Sequence, residues 1–215
     1  MNAKLPQKNT EDLTAHILNI AAIHFSEKGF SGARVDEIAK EAGVNKSSMY
    51  YRVGDKKALY HSVIFNMITQ MVDTAATRIN HANSPADKLK AYIHTLADLI
   101  LGQPHFAPLM LREIASGGTN MSTDTLKAMN QMKGLAKTIL EEGHEAGIFR
   151  ESNYALVHII IVSTFNLIAA GTPIRERLSA LTDTETCLSE NPELPYEKLV
   201  NDMTNFVFCA LKTNK

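Results

Sequence analysis

Between Asn45 and Lys57 the chain gathers Asn45, Lys46, Ser47, Ser48, Tyr50, Tyr51, Arg52, Lys56 and Lys57, with Asp55 the single acid among them. Ammonium, guanidinium, hydroxyl and amide donors at this density suit anionic oxygens and the acceptor edges of bases. Tyr50 and Tyr51 each add a rigid ring with a hydroxyl at its tip. The same residues also suit an ordinary solvated surface, so the cluster alone leaves both readings open.

These side chains need a scaffold, and the flanking sequence supplies a helix, a corner and a second helix. "VDEIAKEA" predicts a short helix that stops at Gly43, and "NKSSMYY" predicts another over Lys46–Tyr51 with Asn45 as its N-cap. Ile38 and Ala39 face inward, Ala42 permits close approach, Gly43 takes the left-handed turn and Val44 plugs the corner. Such a corner serves a DNA reader or a plain helical hairpin equally well. Upstream, a helix from Thr10, its expected cap, to Lys28 carries Ile17, Ile20, Ala21, His24 and Phe25 on one stripe and ends at Gly29. Downstream, a long helix starts near Asp55.

The remainder also reads as helical, with no strand alternation. Ser84 and Pro85 open one helix; "HFAPLMLREIAS" follows the Gly102–Pro104 break and ends at Gly117-Gly118. A long helix is capped by Ser122 or Thr123. "SNYALVHIIIVSTFNLIAAG" is apolar on nearly all sides, and "TPIRERLSALTDTETCLSENPELP" reads as loop with one helical turn. The final helix places Leu199, Met203, Phe206, Val207 and Ala210 on one face. About nine helices result, an all-α fold.

Composition bounds the classes. The chain has 215 residues, 45% of them hydrophobic, enough for a sizeable core. No apolar run reaches the roughly 18 residues of a membrane span, the N-terminus lacks a secretory signal core, and the two cysteines, Cys187 and Cys209, make neither a disulfide framework nor a paired-cysteine metal motif. The expectation is a soluble cytoplasmic protein with no membrane partner. Net charge is −1, divided as +2 over residues 1–60 and −3 over 61–215.

The stretch "ILNIAAIHFSEKGFSGARVDEIAKEAGVNKSSMYYRVGDKKALYHSVI" resembles the N-terminal module of the tetracycline-repressor (TetR) family of bacterial transcription regulators. Ile17, Ala21, Phe25, Gly29, Phe30, Val35, Ile38, Ala39, Ala42, Gly43, Val44, Tyr50, Lys56 and Leu59 match in type and interval without a gap. The likeness covers about residues 13–64. It implies a DNA-binding domain over 1–57, residues 1–9 being a flexible arm that includes Lys4 and Lys8, and a helical ligand-binding and dimerisation domain over 58–215. It places phosphate or base contact on Tyr50, Tyr51, Arg52 and Lys56. With the second short helix in a major groove, Lys46 donates to guanine O6/N7, while Ser47, Ser48 and Asn45 reach base or phosphate. The chain departs from the pattern where Arg34 replaces a common threonine cap (leaving Arg34 to reach a phosphate directly), and at Val53 and Lys57.

A single reading head covers few base pairs, so the resemblance implies a homodimer on a palindromic double-stranded operator. Its interface is expected on the segment 154–170 and the last helix, with His158, Ile161, Phe165, Phe206 and Ala210 as candidates; ordinary core is the competing reading. Met67, Met71, Tyr92, Phe106, Met110, Met129, Met132 and Phe149 are candidates to line a cavity for a largely apolar small-molecule effector, again against a plain core reading. "PLMLREIASGG" looks like a stretch of some regulators of this family, with Arg112 and Glu113 as an ion pair or as a polar pocket edge. Glu141 and His144 share a helical face, but a metal site needs three or four ligands, so neither a metal nor another cofactor is expected. No nucleophile–base pair or phosphate-binding glycine loop marks an enzyme; the remote alternative is a metal-dependent helical enzyme using Glu141 and His144. The expected function is a ligand-released repressor, with an activator or partner-responsive regulator as the alternative.

Overall fold

The structure, a computed structural model, describes residues 7–181 and 195–213, with side chains described for 13–178 and 195–213. Ten helices follow in order among the described residues: α1 (Gln7–Gly32), α2 (Val35–Glu41), α3 (Lys46–Val53), α4 (Lys56–Asn80), α5 (Pro85–Gly102), α6 (Phe106–Ala115), α7 (Thr123–Glu145), α8 (Tyr154–Ala170), α9 (Thr172–Leu181) and α10 (Tyr196–Leu211). An isolated antiparallel bridge joins Phe149 to Lys212. The fold is all-α. The chain forms two compact units, one comprising residues up to Thr69 with Pro108–Ala128, the other Gln70–Ala107 with the residues from Met129 on.

In the first unit, Ile17, Ile20, Ala21, His24 and Phe25 of α1 are buried, as are Val35, Ile38 and Ala39 of α2 and Met49 and Val53 of α3. Tyr60 of α4 is central: its ring meets Phe25 edge-on at 4.8 Å between centroids and Phe30 at 5.1 Å. Edge-to-face geometry sets the positive rim of one ring against the negative face of another. Thr10 does not cap α1, because the helix already begins at Gln7, inside the expected arm; Lys4 and the side chain of Lys8 lie outside the described residues. Gly29, at φ 68°, bends α1 rather than ending it.

Arg112 and Glu113 of α6 bond to other partners and not to each other. The Arg112 guanidinium donates to the Glu27 carbonyl at 3.2 Å, near the bend of α1. The buried Glu113 carboxylate accepts from the Tyr60 hydroxyl at 2.6 Å and from the Asn120 backbone and side-chain amides at 3.3 and 3.2 Å. A carboxylate taken out of water needs these donors.

In the second unit α5 is the central helix and packs on α8 and α10. Leu89, Tyr92, Ile93, Thr95, Leu96, Ala97 and Ile100 are all buried. Ser84 caps α5 by accepting from the Asp87 amide at 3.1 Å, with Pro85 in the first turn. Gly143 is required by close approach: a Cβ there would stand 2.0 Å from the Phe149 ring. Phe149 also packs edge-on against Phe208 at 5.9 Å, so its ring serves the joint between the end of α7 and α10.

The segment from Thr172 is not a loop with one turn but the ten-residue helix α9. Arg175 ties it to the end of α8, donating to the Ile168 carbonyl at 2.8 Å. Pro173 falls in the first turn, where a missing amide proton costs nothing. Residues 182–194, including Cys187, lie outside the described residues.

Candidate nucleic-acid interface

The corner between α2 and α3 is built by backbone geometry. Gly43 has φ 67°, its amide bonds to Lys40 O at 3.2 Å, and the Val44 amide reaches back to Ala39 O at 3.0 Å. This closure satisfies the last carbonyls of α2 with a left-handed residue that glycine adopts without strain. Asn45 Oδ1 then accepts from the Ser48 amide at 2.7 Å, capping α3. Arg34 occupies the cap position of α2 without a side-chain cap bond and is exposed.

α3 divides its residues sharply. Met49 is 0% exposed and Val53 is buried, whereas Tyr51 is 92% and Tyr50 39% exposed. Neither tyrosine packs inward, because Met49 takes that place. Lys46, Ser47, Tyr50 and Tyr51 stand at helical spacings that share one outward face, with Ser48 and Arg52 half-buried at its margins. Donors, a cation and two ring edges on a rigid eight-residue helix can meet phosphate oxygens and base edges together.

Two candidate cations are already engaged. Lys56 Nζ donates to the Ser31 carbonyl at 3.1 Å and lies 5.1 Å from the Phe30 ring centroid, so it closes the end of α1. Lys46 Nζ forms an ion pair with Asp36 Oδ1 at 2.7 Å and lies 5.8 Å from the Tyr50 ring centroid. That pair holds the Asp36 carboxyl below its ordinary range and raises the Lys46 ammonium, by hydrogen bond and Coulomb attraction. Asp36 was not among the sequence candidates; it sits on the neighbouring helix, and no local spacing connects it to Lys46.

The interface candidates divide by burial. Ile161 and Phe165 are fully buried within their own chain, so they are core residues and cannot form an intermolecular face. His158 also turns inward, taking a hydrogen bond from the Tyr92 hydroxyl at Nδ1, 2.5 Å away. Burial and the Lys133 charge lower the His158 pKa to about 4, so the ring is neutral and accepts; burial raises the Tyr92 phenol. Phe206 is 60% exposed and Ala210 is exposed. Exposed Leu156, Ile159, Ser163 and Leu167 of α8, absent from the sequence candidates, make a stripe at intervals of three and four. Val157 and Ile160 line one shallow apolar groove with Phe206, Val207, Ala210 and Leu211.

The cavity candidates are divided between the two units. Met71, Tyr92, Phe106, Met132 and Phe149 are buried and Met129 half-buried in the second unit, while Met110 is buried and Met67 half-buried in the first. Glu141 faces Lys137 at 3.7 Å and His144 Nδ1 faces the Phe149 carbonyl at 3.3 Å, so they do not converge. Among the described residues no group of three or more His, Cys, Asp or Glu is arranged to hold a metal ion. No single described helix is long and apolar enough to cross a membrane.

Residues 17–63 match the family model for bacterial regulatory proteins of the tetR family, and residues 82–170 match the tetracyclin repressor-like C-terminal domain. The chain is 26% identical over 138 residues to the HTH-type transcriptional repressor NicS of Pseudomonas putida, covering 63% of this chain and 65% of NicS. It is 28% identical over 127 residues to the HTH-type transcriptional regulator RutR of Escherichia coli K12, covering 59% of this chain and 56% of RutR. The match thus spans less than two thirds of these relatives' lengths. The fold superposes on the transcriptional regulator FadR from Bacillus subtilis, solved in complex with stearoyl-CoA, with TM-score 0.72 at 17% identity over 92% of this chain and 98% of FadR.

Proposed function

Because this chain belongs to the TetR family of bacterial regulatory proteins, we propose that it is a sequence-specific DNA-binding transcription regulator of the cytoplasm, a homodimeric repressor released from a palindromic operator by a small molecule. The observation that carries the reading is the division of α3: Met49 and Val53 anchor it while Lys46, Ser47, Tyr50 and Tyr51 face outward. A helix held in this way offers its polar face to a major groove. The reading assigns direct contact to these four with Arg34, Asn45, Ser48 and Arg52, and phosphate contact to Lys56. Two copies on a two-fold axis then engage half-sites about 34–36 Å apart, or a multiple of that spacing.

Dimerisation is assigned to the exposed apolar stripe of α8 with Phe206 and Ala210 of α10. The effector is assigned to the second unit, where Tyr92, Met132 and Phe106 are buried and Tyr92–His158 makes a polar pair. Small molecules with a long apolar chain, acyl-CoA thioesters among them, are the effectors to screen first. By linkage, a coupling free energy of about 1–3 kcal/mol lowers operator affinity about 5–150-fold.

The test is selection of bound duplexes from a random library by the purified protein, followed by salt titration of the winner. The expected result is an enriched palindrome, a steep salt slope and loss of binding for Tyr51→Ala. Absence of any enriched sequence from folded dimer overturns the reading. An effector that tightens binding, with a footprint upstream of a promoter, would make the protein an activator.

A further inference from the structure

Lys46 has a long flexible stem, and left to itself its ammonium would sample any phosphate within reach. Here it is held, with Asp36 Oδ1 at 2.7 Å and the Tyr50 ring centroid 5.8 Å away. Both partners of the ion pair are more than half exposed. An exposed pair of this kind contributes little to folding, so the fold does not require it. It does change what Lys46 offers to DNA. The couple brings no net charge, and a phosphate that approaches Lys46 comes beside the Asp36 carboxylate, a like charge. The major-groove edge of a G·C pair differs, because it sets the acceptors O6 and N7 of guanine next to the N4 donor of cytosine. An ammonium and a carboxylate already in contact can meet that edge without separating.

We propose that Asp36 is a specificity-determining residue that aims Lys46 at base edges, favours a G·C pair beneath the couple, and withholds the cation from indiscriminate phosphate contact. Discrimination of this kind works as much by penalising wrong partners as by rewarding the right one. Glu37, the next residue, supplies an internal control: its carboxylate pairs with Lys28 of α1 at 2.5 Å and not with α3. The inference rests on the DNA-binding reading above.

The experiment uses the full chain, the duplex recovered by selection and a scrambled duplex of equal length and composition, with Asp36→Asn, Glu37→Gln, Lys46→Met and the Asp36→Asn/Lys46→Met double variant. Asp36→Asn is expected to raise affinity for the scrambled duplex about 3–10-fold and to steepen its salt slope by about one, the increment for one added phosphate contact. The operator-to-scrambled ratio falls at least about 10-fold, and reselection loses the G·C preference at one position per half-site. Glu37→Gln leaves the ratio within about twofold. In the Lys46→Met background Asp36→Asn leaves the ratio unchanged, because the residue acts through Lys46. Equal shifts on both duplexes, or an effect on the ratio that survives Lys46→Met, overturn the proposal while operator binding by the unaltered protein stands. Recovery of no operator overturns the DNA-binding reading and this inference with it.

Discussion

The Tyr60 hydroxyl donates to Glu113 Oε1 at 2.6 Å across 53 residues of sequence, joining α4 to α6 within the first unit. Burial and the hydrogen bond to Glu113 raise the Tyr60 phenol well above its ordinary range, which keeps it a donor at neutral pH. Glu113→Ala removes the acceptor for Tyr60 and for both Asn120 donors, and should cost about 2–4 kcal/mol; Tyr60→Phe should cost about 1–3. Urea unfolding checks both values. A loss below about 0.5 kcal/mol for Glu113→Ala would mean that water replaces it freely.

Met49 and Tyr51 are two positions apart and should fail in opposite ways. Met49→Ala empties a fully buried site and should cost about 2–5 kcal/mol of stability. Tyr51→Ala alters a side chain that is 92% exposed and should move stability by less than about 0.5 kcal/mol while weakening operator binding at least about 10-fold. Thermal melts and a binding titration separate the two effects.

His158 makes stability depend on pH. Its folded pKa of about 4 lies below the ordinary 6.5, so the unfolded chain takes up this proton first. Its contribution is complete above about pH 6.5 and is lost as pH falls towards 4, by at most about 2–3 kcal/mol. His158→Gln should flatten this part of the unfolding free energy profile between pH 4 and 6.5. An NMR titration that places the ring pKa near 6.5 would remove the basis for the prediction.

Exposed and buried positions of α8 separate assembly from folding. Ile159→Asp on the outward stripe, or Phe206→Asp on α10, should yield a helical monomer in sedimentation analysis and weaken operator binding, because half-sites then bind singly. Ile161→Asp buries an unpaired charge and should destabilise by more than about 4 kcal/mol. A dimer that persists in both outward variants places the interface elsewhere.

Helix caps and the α2–α3 corner are visible in local sequence. Asn45 and Ser84 cap their helices as their types require, and Gly43 supplies the positive φ of the corner. These are interactions among residues three to five apart, so spacing alone expresses them. α9 is not legible in this way. Thr-Pro reads as loop locally, but the helix is held by Arg175 reaching the end of α8.

By itself the sequence determined the all-α class, most helix boundaries, the α2–α3 corner and the family, because periodicity, caps and turn residues act over one or two helical turns. Tertiary structure alone decided which side of a uniformly apolar helix is core. Ile161 and Phe165 face inward, while Leu156, Ile159 and Leu167 face out, since α8 has no polar stripe to declare its orientation. It also decided that Glu113 meets Tyr60 and that Asp36 holds Lys46. Partners on different helices are brought together by packing, and no interval along the chain encodes their distance.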